Sequence, residues 1–215
     1  VSRLRMGWSA TLGFAPVDPE VAELAHAAAL DTARAAGVEL IDVDVHLTDP
    51  VATWLSAGAM SLWLSIEQHE HWPDRADDLT PYVKATLEAT FDRPLRTLVN
   101  GYRRRLQLQA DMATLFGDLD VLLTPTTAVP AFAAKGPSPS VIGGVEVQPA
   151  MSVPFTMLAN LCWNPAVSVP AGLSAEGLPI GLQIIGRRHH DEVPLRLARL
   201  LEIERPWPLH APGYL

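Results

Sequence analysis

DVLLTPTTAVPAF (residues 120–132), PFTMLANLCWNPAVSVPAG (154–172) and GLPIGLQIIGRR (177–188) decide the fold. Short runs of Val, Leu and Ile bounded by Pro and Gly have the composition of interior strands. Residues 121–124 form the first, Val167 and Val169 sit in the second, and Leu182, Ile184 and Ile185 in the third. Pro125, Pro130, Pro154, Pro165, Pro170 and Pro179 punctuate them. Proline fixes φ and lacks an N–H, so it stands where strands begin or end. Between the first two runs the pattern predicts a loop, a hairpin turning on Gly143-Gly144, and a short apolar helix.

Upstream, residues 4–9 read as a strand and Asp18-Pro19-Glu20 as a helix start, with an N-cap carboxylate and proline in the first turn. The helix runs to about residue 36, where Gly37 stops it, and turns Val21, Leu24, Ala28 and Ala35 toward a sheet. Residues 38–45 form the next strand. Strand, helix, strand in this order implies a parallel crossover and an α/β fold. Asp49-Pro50 opens a second helix, to about residue 72, with Trp54, Leu55, Leu62, Trp63 and Ile66 as its buried stripe. It ends in Glu67, His69, Glu70 and His71, a solvated helix end rather than a ligand set. Thr80-Pro81 starts a third helix. From Arg93-Pro94 to Gly117 a long one places Leu95, Leu98, Val99, Tyr102, Leu106, Met112, Leu115 and Phe116 at helical spacing. Arg103, Arg104 and Arg105 are spread around it and read as a solvated surface, paired with nearby acids, rather than a phosphate site. Asp191 caps the last helix, to about residue 203, with Leu195, Ala198 and Leu201 as its apolar face; residues 206–215 form an extended arm.

The 215 residues are 48% hydrophobic and 19% charged, with a net charge of −8. That composition gives a soluble globular chain with one core, read as a single domain over 1–215. The acidic balance argues against nucleic acid and against an anionic membrane surface. A single cysteine excludes an intrachain disulfide and fits the reducing cytoplasm. No apolar run reaches transmembrane length.

Several chemistries are weighed and set aside. Asp42, Asp44 and His46 alternate along a strand at a chelating spacing, but without a fourth ligand they read as a polar strand face. His189, His190, Asp191 and Glu192 read as a polar helix entrance. Cys162 lies in an apolar segment with no His or Lys near in sequence, the setting of an inert filler. Ser174, in GLSAEG, lacks the spacing of a nucleophile elbow and reads as a turn. No phosphate or dinucleotide fingerprint appears, so no cofactor is expected. Thr126 and Thr127 follow the carboxyl end of a strand, where α/β sheets bind ligands; capping of a turn explains them equally well.

The order DVLLTPT, PFTMLANL, PAVSVPAG, GLPIGLQIIG resembles the C-terminal part of the amidase signature family, and LRMGWSATLGFAPVDPEVAELA (4–25) looks like that family's entry into its second half. The resemblance covers nearly the whole chain. It implies an α/β/α layered fold on a mixed sheet, here incomplete, from a hydrolase that cleaves carboxamides with a Ser–cis-Ser–Lys triad. The residues for that triad are missing: there is no Ser-Ser pair, and the only lysines are Lys84 and Lys135. The chain would therefore supply sheet and one wall of a pocket, with Thr126, Thr127, Asn160 and Trp163 as substrate-binding residues. Cys162-Trp163-Asn164 departs from the small Thr-Gly pair expected there and alters that wall. The implied partners are a small-molecule amide and the N-terminal half of the same fold. Unpaired strand edges at residues 121–124 and 167–169 also predict self-association. The rival reading is a non-catalytic accessory or binding protein that kept this half of the fold.

Overall fold

The structure, a computed structural model, describes residues 3–68 and 71–208. At its centre β3 (Val121–Pro125) is buried at every position. Parallel to it lies β1 (Met6–Trp8), and parallel to that β2 (Leu40–Asp42). On the other side, antiparallel β7 (Pro179–Gly186) separates β3 from β6 (Ala166–Leu173). The order β2-β1-β3-β7-β6 makes a mixed five-stranded sheet.

The β1-to-β2 crossover runs through α1 (Pro19–Ala36), as the strand-helix-strand order predicts. Asp18 Oδ1 accepts the N–H groups of Glu20 and Val21 at 2.9 and 3.3 Å, satisfying donors that the first turn leaves unpaired. Gly37 ends the helix at φ 68°.

Side chains alternate across β3 and so feed two layers. Val121 and Leu123 join Leu182 and Ile184 beneath α1 and α6 (Glu192–Glu204). Leu122 and Ile185 point the other way, into a core with Met112, Phe116, Phe155 and Leu158. That core is closed by α2 (Val51–Gln68), α4 (Leu95–Asp118) and α5 (Pro154–Cys162), giving the α/β/α arrangement. α3 (Pro81–Thr90) packs on α2. β4 (Val141–Ile142) and β5 (Val145–Glu146) form the hairpin expected at Gly143-Gly144, whose φ values of 55° and 82° suit glycine.

Asp120 locks the head of the sheet. Its carboxylate accepts the Arg5 backbone N–H at 2.8 Å and lies 3.1 Å from Arg187 Nη2. Burial alone would push this carboxyl up, but the Arg5 amide and the two guanidiniums outweigh it and hold it below the usual carboxylate range.

Several sequence expectations are corrected. The strand at 167–169 is an edge, as the self-association reading requires, rather than the interior strand its composition suggests: β6 has one partner among the described residues, and Pro170 stands where an edge tolerates a missing N–H. The strand at 121–124 has no free edge at all. β2 is far shorter than 38–45, and Asp44 turns onto His46 at 3.0 Å. On α2 the buried residues are Val51, Thr53, Ser56, Ala59 and Ile66, while Trp54 and Leu55 are exposed. Small side chains take that face because α4 crosses closely there, with Gly101 against Ser56. On α4, Arg105 donates Nε–H to the Leu161 carbonyl at 3.0 Å rather than pairing with an acid. On α6, Pro194, Leu197 and Leu201 are buried and Leu195 is exposed. Asp191 makes no side-chain capping bond; the neighbouring Glu192 lies 3.3 Å from His190 instead. His69 and Glu70, and the arm from residue 209 onward, lie outside the described residues.

Candidate functional site

Three strands bring a polar row onto the face of the sheet that α5 covers. Gln183 of β7 stands opposite Thr124 of β3 on one side and Ser168 of β6 on the other. Buried Gln183 donates Nε2–H to Thr124 Oγ1 at 3.1 Å and to the Phe155 carbonyl at 3.3 Å, which satisfies an amide that burial would otherwise penalise. One step along the sheet, Thr126 donates its backbone N–H to the Gly181 carbonyl at 2.9 Å. Its hydroxyl then meets that of Ser168 at 2.7 Å. Gly181 lies directly beneath. A Cβ there would stand 2.7 Å from Thr126 Oγ1 and 2.9 Å from Ser168 Oγ, so the pair rests on a missing side chain.

Two cavities meet at this pair. One, of about 290 Å³, is lined by Thr126, Ser168 and Gln183 together with Thr156, Asn160 and Asn164. The other, of about 340 Å³, lies over Thr126, Thr127, Ser168, Pro179 and Gly181. Among the described residues no charged side chain lines either one. In a mutually bonded hydroxyl pair one proton is committed to the partner, leaving one free O–H and several lone pairs. That inventory suits a neutral group that both donates and accepts.

Of the predicted wall residues, Thr126, Thr127 and Asn160 reach this place. Thr127 also holds its own turn, donating to the Val129 carbonyl at 2.9 Å, and Asn160 bonds the Thr156 carbonyl at 2.8 Å. Trp163 lines neither cavity. It ends α5 at φ 61°, is 69% exposed, and lies under the Arg105 guanidinium, 5.5 Å from its ring centre. Sequence reading missed Ser168 and Gln183. Their signal was present: each is a lone polar residue flanked by apolar neighbours in a strand, which period two places on the opposite face.

Residues proposed for other chemistry sit elsewhere. Cys162 is buried, and desolvation pushes its thiol up to about 11 despite Arg188 and Arg105, the reverse of an activated nucleophile. Ser174 Oγ accepts the Leu178 N–H in the turn joining β6 to β7. Lys84 bonds Asp77 at 2.6 Å, an interaction that raises its pKa, and Lys135 is exposed. Among the described residues no three of His, Cys, Asp or Glu come together to hold a metal ion.

Residues 1–195 match the profile of the Amidase family. An acylamidase from Rhodococcus erythropolis is 32% identical over 96% of this chain and 43% of its own length. A glutamyl-tRNA(Gln) amidotransferase subunit of Geobacter metallireducens is 30% identical, over 99% of this chain and 47% of its own. Among solved structures, a bacterial aryl acylamidase of the amidase signature family superposes with a TM-score of 0.80 at 26% identity, covering 95% of this chain and 44% of that one. The chain therefore spans under half the length of these relatives.

Proposed function

The chain belongs to the amidase family, and from that premise we propose that it is the C-terminal portion of a hydrolase that cleaves carboxamide C–N bonds. In this reading the Ser–cis-Ser–Lys triad lies in an N-terminal portion of the same fold. This chain supplies the Thr126, Thr127, Asn160, Ser168 and Gln183 wall against which a small neutral amide is held. A cytoplasmic setting completes the reading.

The observation that carries it is the state of the two lysines. A triad base must shed its proton near neutral pH, and burial without a carboxylate favours that. Lys84 has the opposite surroundings, a carboxylate at 2.6 Å that stabilises the charged form, and Lys135 is in water. A neutral, hydroxyl-lined wall without a base or nucleophile suits substrate positioning, which accelerates nothing until the reacting groups are added.

The purified chain should not turn over simple carboxamides or aryl anilides. Turnover that survives purification and disappears in Cys162→Ala or Ser174→Ala would show that the chemistry is housed here and would overturn the proposal.

A further inference from the structure

α4 carries two apolar stripes, and the described residues cover only one. Gly101, Leu108, Met112 and Phe116 are buried against the rest of the molecule. Leu95, Val99, Tyr102 and Leu106 recur at intervals of four, three and four, the spacing of a coiled-coil seam. All four lie exposed, Leu95 by 74%. Phe91, one turn earlier in the chain, is 62% exposed. At about 100° per residue the second stripe stands about a third of a turn from the first, and it runs for about 17 Å. Scattered surface apolar residues are ordinary, but a continuous stripe marks a surface that something covers.

Its charged flank has one sign. Arg96 and Arg103 border the stripe on the side away from the core. Among the described residues neither has a carboxylate partner. In a chain of net charge −8, two unpaired arginines on one flank of an apolar seam favour an acidic partner there. On the opposite side Leu98 of α4, with Met60 and Leu64 of α2, lines a cavity of about 300 Å³ that widens the seam into a groove.

We propose that this groove docks an amphipathic helix whose own apolar seam is flanked by Asp or Glu. Knobs from such a helix would fill the holes between Leu95, Val99, Tyr102 and Leu106, and its acids would meet Arg96 and Arg103. A second copy of this chain fits poorly, because pairing the stripe with itself sets arginine against arginine. A lipid surface fits poorly too: the stripe has only two positions per heptad, narrower than the broad face a membrane-lying helix buries. Neither the cavities at Thr126 nor any catalysis enters the inference; the N-terminal portion proposed above is the competing cover, and a stripe buried when the two portions are co-expressed would overturn it.

The test uses the full chain and a labelled synthetic three-heptad peptide with Leu at both seam positions and Glu at the flanks, compared by fluorescence anisotropy with the same peptide carrying Lys flanks. The Glu peptide should bind about tenfold or more tighter than the Lys peptide, Tyr102→Asp should weaken it by a similar factor, and Arg96→Glu with Arg103→Glu should reverse the preference. These side chains are exposed, so the variants should keep the parent's circular dichroism and melting temperature. Absence of binding, equal binding of the two peptides, or indifference to Tyr102→Asp would overturn the proposal. So would a dimer in sedimentation velocity that Tyr102→Asp dissolves, which would assign the seam to a second copy. Partition onto phosphatidylserine vesicles that the same variant abolishes would assign it to lipid instead.

Discussion

Every residue of β3 is buried, whereas Leu95, Val99, Tyr102 and Leu106 of α4 face outward. Both segments are apolar at the spacing of their own secondary structure, so pattern alone gives no reason for opposite fates. The difference lies in neighbours. β3 has a strand on each edge and a helix layer over each face, all from this chain. The first turns of α4 meet α2 at Gly101 and Ser56, and nothing described covers their other side. Periodicity reports which face of an element is meant to be covered. It does not report whether the cover belongs to the same chain.

The sharpest way to break that comparison is to truncate one leucine in each region. Leu122→Ala removes a fully buried side chain from a strand fixed on both edges and should cost about 3–4 kcal/mol. Leu95→Ala should change stability by no more than about 0.5 kcal/mol. Urea unfolding of both variants checks this. A cost at Leu95 comparable with that at Leu122 would mean the stripe on α4 is covered in solution by the chain itself.

The same contrast explains what was legible in the sequence. Local signals suffice where the chain neighbours decide the outcome: Asp18 caps α1, Gly143-Gly144 turns a hairpin, and Ser174 closes the β6–β7 turn. Strand order was not legible, because β6 and β7 carry similar apolar runs and tertiary pairing alone decides which lies outside. Pro170 was the one available hint of an edge. At the candidate site, Thr126 and Thr127 followed from a strand end, and Asn160 from the family resemblance alone. Ser168 and Gln183 needed the register, which places them side by side across strands separated in sequence by a turn. Trp163 lies apart from the two cavities because one residue past the end of a helix the chain leaves the helical face, and in the αL conformation its ring points out to Arg105.

A glycine in the element beside each region, Gly181 of β7 and Gly58 of α2, sharpens the comparison with a smaller effect. Gly181→Ala drives a Cβ into the Thr126–Ser168 pair and should destabilise by about 1–3 kcal/mol while separating the two hydroxyls. Gly58 lies inside α2 with open space where its Cβ would stand. Gly58→Ala should stabilise by about 0.5–1 kcal/mol through reduced freedom of the unfolded chain. Opposite signs in thermal unfolding are the expected result. A neutral Gly181→Ala would mean that the pair has room to shift, and that the wall of the candidate site is less fixed than its distances indicate.

The smallest effect lies where the two regions touch. Trp163 closes α5 at φ 61°, a conformation that costs a bulky side chain about 1 kcal/mol or more, and that glycine adopts freely. Against this stands the Arg105 guanidinium over its ring, worth about 0.5 kcal/mol at so exposed a position. Trp163→Gly gives up the contact but relieves the backbone, and should stabilise by about 0.5 kcal/mol. Trp163→Ala gives up the contact and keeps the strain, and should destabilise by a similar amount. The two variants separate backbone from side chain at a single position, because each removes the whole indole. If Trp163→Ala were as stable as Trp163→Gly in urea, the αL backbone would be carrying no strain. The stacking on Arg105 would then be the only thing Trp163 contributes, beside the Arg105–Leu161 hydrogen bond that already joins α4 to α5.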